Sequence, residues 1–235
     1  MTVEEVMQQL EALGTEQTKK TFMRHGAREP FFGVRIGDMK KLVKAVKRDQ
    51  KLVQALYETG NHDAMYLAGL AIDPQTVTKE QLQSWVRQAY WYMLAEYTVA
   101  GVAAESSFAL ELAREWIEAE EEMIAACGWS TYANYLSITP DEQLDLAEIS
   151  ALLARVKQTI HQERNRVRYV MNQFVIAVGA SVTELHAEAV QTAEAIGKVQ
   201  VDVGQTACKV PLATESIKKI EERGKIGQKR KTCIY

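Results

Sequence analysis

Glu96 is a carboxylate inside an apolar, aromatic segment, and it is the first residue of the chain that could perform chemistry. It is the only charged residue between Arg87 and Glu105, although 25% of all residues are charged. Burying a carboxylate is costly, so Glu96 needs a partner, a raised pKa or a catalytic task. In a cleft it could stabilise a positively charged transition state or position water. The alternative is a structural carboxylate tied to a lysine, an arginine or a helix N-terminus.

Aromatic and amide side chains are candidates for lining the same cleft. Tyr92 lies one helical turn before Glu96, so its ring can share the face of the carboxylate. The candidate cleft residues are Trp91, Tyr92, Trp129, Tyr132, Tyr169 and Asn172. Aromatic residues at helical spacing are more often part of the core, and this alternative stays open for Trp91 and Tyr92.

Basic residues are concentrated towards the two ends of the chain. Residues 1–91 have a net charge of +2, residues 92–150 of −11 and residues 151–235 of +6. Such asymmetry indicates local patches that meet a polyanion, and basic side chains there could contact phosphates. The candidates are Lys40, Lys41, Lys44, Lys47, Arg164, Arg166 and Arg168. The alternative is that they lie on ordinary solvated helix faces.

Signals that start and end helices recur along the chain. Thr2, Thr78, Thr139 and Ser181 each precede a Glu or Gln at capping-box spacing. Glycines at 14, 26, 60, 197 and 224 stand where helices should stop. The pattern predicts about a dozen helices of roughly 10–17 residues, and only residues 199–203 alternate like a strand.

Two predicted helices have distinct faces. Residues 39–51 place an apolar stripe opposite a row of lysines, and residues 165–178 place one opposite asparagine, arginine and tyrosine side chains. Short helices joined by short turns pack as antiparallel pairs that stack into an α-solenoid. A compact irregular bundle is the alternative.

Composition excludes several other classes. The N-terminus has acidic residues before its apolar ones, unlike a secretory signal, and no apolar run is long enough to span a membrane. Cys127, Cys208 and Cys233 lack the spacing of a disulfide framework or a zinc site. We therefore expect reduced thiols in a cytoplasmic protein without a metal site.

Residues 30–49, PFFGVRIGDMKKLVKAVKRD, resemble the N-terminal signature of the HEAT-like-repeat DNA alkylation repair family. In that family a short aromatic–glycine turn leads into a basic helix. Residues 91–96, WYMLAE, match its Trp-Asp-x-x-Asp region, and residues 197–231 resemble the C-terminal part of a divergent branch. The resemblance implies a single domain over residues 1–235, an all-α HEAT-like α-solenoid of about six antiparallel helix pairs. Its C-terminal end, from about 198, is basic.

The resemblance also implies an activity. Characterised members cradle duplex DNA on a basic concave surface and remove N3- or N7-alkylated purines without metal or organic cofactor. Glu96 falls at the position of the catalytic aspartate and Tyr92 at that of a neighbouring aromatic. The family arginine falls near Tyr132 and the second cleft tryptophan near Asn172, so two other groups differ from the family pattern.

Three hypotheses follow. The first is a duplex-DNA-binding protein that excises alkylated purines, with Glu96 as its catalytic carboxylate. The second is a non-catalytic HEAT-like scaffold that binds unusual DNA structures or another macromolecule. The third is a protein partner bound through the acidic residues 105–122.

Overall fold

Thirteen α-helices form the protein in the computed structural model, which describes residues 1–234. They are α1 (Val3–Leu13), α2 (Glu16–Arg24), α3 (Ile36–Val46), α4 (Gln50–Glu58), α5 (His62–Ala71), α6 (Lys79–Gln88), α7 (Ala100–Glu105), α8 (Ala109–Ile117), α9 (Glu122–Ile138), α10 (Leu146–Thr159), α11 (Asn165–Ser181), α12 (His186–Ile196) and α13 (Ala213–Glu221). A π-helical segment, Met93–Val99, runs into α7. Residues 1–234 contain no strand, and residues 199–203 belong to a long irregular connection before α13. The all-α prediction is confirmed.

Helix starts agree with the sequence in the N-terminal half and depart from it later. Thr2 forms the predicted capping box, and the Thr78 side chain caps α6. The predicted starts at Thr139 and Ser181 are wrong. The residues after Thr139 form one 3₁₀ turn, and α10 begins later with Asp145 as its cap. Ser181 is the last residue of α11, where it ends a helix.

The residues predicted as one helix over 39–51 form parts of two helices. α3 ends at Val46, and the Asp49 side chain accepts hydrogen bonds from the first N–H groups of α4. The apolar stripe of α3 faces inward, with Met39 and Val46 fully buried. The lysines of α3 and of the turn after it are exposed.

Helix α11 has the predicted buried stripe, formed by Val167, Val170, Met171, Phe174 and Val178. It packs against α9, α12 and α13. Apolar side chains form two main clusters, one built mostly from α1–α8 and the other mostly from α9–α13. Helices α8 and α9 contribute to both clusters, so they join the two halves. Gly128 lets these two helices pack closely, because it has no side chain. A Cβ at this position would lie only 2.5 Å from the Ile117 nitrogen.

The C-terminal segment is packed against the helices. Lys229 Nζ donates to the carbonyl oxygens of Leu136 and Ser181, at 2.9 and 2.6 Å, where α9 and α11 end. It also pairs with Asp141 at 2.7 Å. The Glu105 carboxylate accepts the backbone N–H groups of residues 233 and 234. Of the helices in residues 1–234, none has the length and apolar character needed to cross a bilayer.

Candidate functional site

An open cleft of about 760 Å³, the main cleft, lies beside the segment that contains Glu96. Its walls come from the end of α2, residues 90–97, the start of α11 and the connection between α12 and α13. These elements are far apart in the sequence. The cleft therefore exists only because the helices stack.

Glu96 is buried at 6% exposure and forms a bidentate ion pair with Arg166. Arg166 Nε donates to Glu96 Oε1 at 2.7 Å, and Arg166 Nη2 donates to Oε2 at 2.5 Å. Burial raises the pKa of Glu96, and the Arg166 guanidinium opposes that shift. The predicted alternative, a carboxylate tied to an arginine, is confirmed as the geometry of this residue.

Arg166 is held between two tyrosine rings. Its guanidinium carbon lies 4.4 Å from the ring centroid of Tyr92 and 4.3 Å from that of Tyr169. The Arg166 backbone N–H donates to Glu122 Oε1 at 2.7 Å, which fixes the first turn of α11. Arginine stacks readily on aromatic faces. A stack of tyrosine, guanidinium and tyrosine therefore lies at the wall of the main cleft.

The π-helical segment gathers the aromatic side chains of this wall. The hydrogen bonds of a π-helix join residues five apart, and Tyr92 and Tyr97, also five apart, have ring centroids separated by 6.4 Å. The Thr98 hydroxyl donates to the Met93 carbonyl at 3.2 Å, five residues earlier. Tyr97 is 44% exposed and lines the main cleft. Sequence reasoning missed Tyr97, because its position depends on this local change of helix period.

Trp91 lines the main cleft but is only 4% exposed. Its Nε1 donates to the His25 carbonyl at 2.8 Å. Its ring packs against Phe22 and against His62, at centroid distances of 5.5 and 4.7 Å. Trp91 thus joins α2, α5 and the π-helical segment, and both predicted positions, in the core and at the cleft, describe it.

Three predicted cleft residues lie elsewhere. Trp129 and Tyr132 are each 1% exposed and pack against Phe174 in the C-terminal cluster. Asn172 is fully buried, and its Nδ2 donates to the Pro211 carbonyl at 3.0 Å. The connection between α12 and α13 covers that part of α11, which a helical pattern alone does not reveal. The prediction that these three side chains line the cleft is wrong.

The predicted basic residues form two groups. The three arginines make contacts within the protein, whereas the four lysines are exposed. Arg164 donates to the carbonyl oxygens of Ala119 and Glu120, at 2.9 and 2.5 Å, just after α8 ends. Arg166 is the partner of Glu96, and Arg168 Nη2 contacts Asn165 Oδ1 at 3.4 Å. The four lysines at positions 40, 41, 44 and 47 are exposed but lie outside the main cleft.

Two exposed basic residues that the sequence did not indicate line the main cleft. They are Arg24, the last residue of α2, and Lys209, in the connection before α13. The connection is tied down by Asn165, which exchanges two hydrogen bonds with the backbone of Asp202, at 2.7 and 2.8 Å. The Gln205 N–H also donates to the Arg24 carbonyl at 3.1 Å.

A second cavity of about 330 Å³ adjoins the main cleft, and the two share Tyr97 and Tyr169 as walls. Hydroxyl and amide groups line it, among them Ser130, Asn134 and Gln173, together with Arg230. Glu96 also borders this cavity. The ion pair of Glu96 and Arg166 therefore stands at the boundary between two concave spaces.

Comparison with known proteins agrees with this architecture. A family model described as "DNA alkylation repair enzyme" matches residues 6–210. An uncharacterized protein of Listeria innocua is 35% identical over 229 residues, covering 95% of this chain and 99% of its own length. One of Listeria monocytogenes is 35% identical over 231 residues, covering 96% and 100%.

A solved structure is 41% identical, covers 98% of both chains and superposes with a TM-score of 0.91. It is described as representing a new family of proteins related to the HEAT-like repeat DNA glycosylases, with affinity for branched DNA structures. The predicted HEAT-like α-solenoid is thereby confirmed. This chain belongs to the DNA alkylation repair enzyme family.

Proposed function

We propose that this protein binds branched DNA at the main cleft and that Glu96 holds Arg166 in place instead of attacking a glycosidic bond. The observation that carries this proposal is the bidentate ion pair, in which each carboxylate oxygen of Glu96 accepts from one guanidinium nitrogen. A carboxylate that supports a cationic sugar or a water molecule needs an oxygen directed at the reacting atoms. In Glu96 both oxygens are directed at Arg166.

The charges at the cleft support a DNA ligand. Arg166 is neutralised by Glu96, whereas Arg24 and Lys209 are exposed at the cleft together with one carboxylate, that of Asp202. Exposed cations contact phosphates without reading sequence, which suits a protein that selects a DNA shape. The affinity for branched DNA described for the 41% identical structure supports the choice of ligand.

The lysines of α3 extend this proposal. Lys40, Lys44 and Lys47 are exposed outside the cleft, so we assign them to the phosphates of a duplex arm that leaves it. Such outlying contacts raise affinity for any duplex. The cleft residues would supply the preference for a branch.

The acidic residues 105–122 are a weaker candidate for a binding site, in this case for a protein partner, than the main cleft is for DNA. Lys79 pairs with Glu111 and Glu115, at 2.8 and 3.4 Å, and Arg155 pairs with Glu118. Intramolecular cations thus occupy much of this acidic segment.

Reduced thiols at Cys127, Cys208 and Cys233 fit the cytoplasmic location that we expect for a bacterial-type DNA-binding protein.

The test compares two matched double variants. For wild type, R24A/K209A and K44A/K47A, dissociation constants are measured over a range of salt for a four-way junction and a linear duplex. We expect R24A/K209A to lose the preference for the junction. K44A/K47A should weaken binding of the junction and of the duplex alike. It should also reduce the slope of the logarithm of the binding constant against the logarithm of the salt concentration by about two. Equal binding of junction and duplex by the wild-type protein would overturn the proposal.

The non-catalytic role of Glu96 has a separate test. Release of N7-methylguanine and N3-methyladenine from methylated duplex DNA is measured for wild type and Glu96→Gln. We expect no release from either protein. Release by the wild type that Glu96→Gln abolishes would instead make Glu96 the catalytic carboxylate of a glycosylase.

A further inference from the structure

The main cleft has an aromatic wall that fully paired DNA would leave unused. Among residues 1–234, the exposed large apolar side chains are Met1 at 47%, Met23 at 55% and Tyr97 at 44%. Met23 and Tyr97 both line the main cleft. Exposing such side chains costs free energy in water, so their concentration in one concavity indicates a ligand with an apolar face.

The wall behind Tyr97 is aromatic, and the one guanidinium within it is paired with a carboxylate. The rings of Tyr92 and Tyr169 enclose the Arg166 guanidinium, and Glu96 cancels its charge. The paired bases of a duplex are stacked on each other, so the duplex presents mainly its phosphates and the base edges in its grooves. An unpaired base has a free face that can stack on an aromatic ring.

We propose that the main cleft receives unpaired nucleotides of a single-stranded DNA arm, with a base stacked on Tyr97. This inference rests on the proposed binding of branched DNA and names the part of the branch that enters the cleft. Arg24 and Lys209 line the same cleft and supply cations for the phosphates of such an arm. A volume of about 760 Å³ is in the size range of sites that enclose small organic ligands.

The second cavity extends the path of the strand. Tyr97 and Tyr169 form walls of both spaces, so a strand that crosses Tyr97 enters the second cavity next. There the Asn134 and Gln173 amides and the Ser130 hydroxyl offer donors and acceptors to base edges, and Arg230 lies at the same cavity. The arrangement, stacking at the shared wall with polar groups beyond it, is that of single-strand binding.

The experiment compares a fork with two unpaired arms with the same fork after its arms are annealed to complementary strands. Wild type, Tyr97→Ala and Tyr97→Trp are tested. Tyr135→Ala, at a half-buried tyrosine outside both cavities, is the control. We expect Tyr97→Ala to lower the affinity for the open fork about tenfold, because one base stack is lost. The affinity for the annealed fork should stay unchanged. Tyr97→Trp should retain binding, and Tyr135→Ala should match the wild type.

Other outcomes separate this inference from the proposed function. Equal binding of both forks by the wild type, unchanged by Tyr97→Ala, would overturn the inference and leave branched-DNA binding intact. If the wild type shows no preference for branches, a thymidine oligonucleotide still tests the cleft, and binding that Tyr97→Ala weakens would support it. The mononucleotide dTMP is the last probe. If it displaces the fork as readily as the oligonucleotide does, the cleft is a mononucleotide site and the inference fails.

Discussion

Two buried carboxylates stabilise different regions of the molecule through different kinds of partner. Asp63, in the first turn of α5, accepts hydrogen bonds from three consecutive backbone N–H groups, of residues 32–34, at 2.6, 3.0 and 3.1 Å. Glu96, between the main cleft and the second cavity, is held by one side chain, Arg166. Burial raises the pKa of both carboxyl groups against the effect of their donors.

The difference indicates which region belongs to the scaffold and which to the site. Backbone donors are fixed by the course of the chain, so Asp63 defines the turn after Pro30 and, through it, the start of α3. That turn needs glycine, since Gly33 has φ +79° and a Cβ there would lie 2.7 Å from the Lys19 nitrogen. Arg166 presents its guanidinium to a cleft as well as to Glu96. A ligand in the cleft can therefore contact the ion pair of Glu96 and Arg166 but not the hydrogen bonds of Asp63.

The largest effect is expected at the ion pair. Arg166→Met should lower the free energy of unfolding by roughly 3–5 kcal/mol, because it leaves a buried carboxylate without its partner. Urea denaturation measures this cost. Arg114→Met is the matched control, since Arg114 makes the same bidentate contact with Glu148, at 2.7 and 2.6 Å, but is 52% exposed. That control should cost less than about 1 kcal/mol.

A double variant sharpens the same comparison. Replacing both partners, as in E96L/R166M, removes the unpaired charge and should recover most of the lost stability. Equal costs for Arg166→Met and Arg114→Met would contradict the view that the pair at the cleft is desolvated.

The next effect is expected at the turn. Asp63→Asn removes charge-assisted hydrogen bonds to backbone donors and should cost roughly 2–3 kcal/mol in unfolding free energy. Binding of the four-way junction at 25 °C should stay unchanged, because Asp63 lies outside the main cleft. Asp49→Asn is the control. Asp49 is an exposed N-cap, where asparagine serves as well as aspartate. A loss of junction affinity in the folded Asp63→Asn protein would show that the two regions are coupled.

Local patterns predicted much of the scaffold. The stripe of α11 and the Thr2 capping box depend on neighbours within a few residues, so the sequence displays them. The site depends on longer distances. Glu96 and Arg166 are 70 residues apart, and the sequence left a lysine, an arginine or a helix N-terminus open as the structural partner of Glu96.

The errors have the same origin. Trp129 and Tyr132 are core residues, as aromatic residues at helical spacing more often are, but the spacing alone does not exclude a cleft. Which of the two an aromatic side chain enters depends on the helix packed against it. Tyr97 and Arg24 gave no local signal, since a π-helical segment exposes the first and the tertiary fold brings the second to the same cleft as the start of α11.

The smallest effect concerns His62, beside Asp63 on the scaffold side of the comparison. His62 is fully buried among the rings of Phe22, Tyr66 and Trp91, and neither ring nitrogen has a hydrogen-bond partner in residues 1–234. Burial lowers its pKa to about 3. Between that value and the ordinary pKa near 6.5 the unfolded chain binds the additional proton, so stability falls as the pH falls.

We expect the wild type to lose up to about 1.4 kcal/mol of unfolding free energy per pH unit below pH 6 relative to His62→Leu. The difference between the two proteins isolates this histidine, because both share every other titrating group. Parallel pH profiles for wild type and His62→Leu would mean that water reaches the ring. The aromatic cluster that supports Trp91 at the edge of the main cleft would then be open to water.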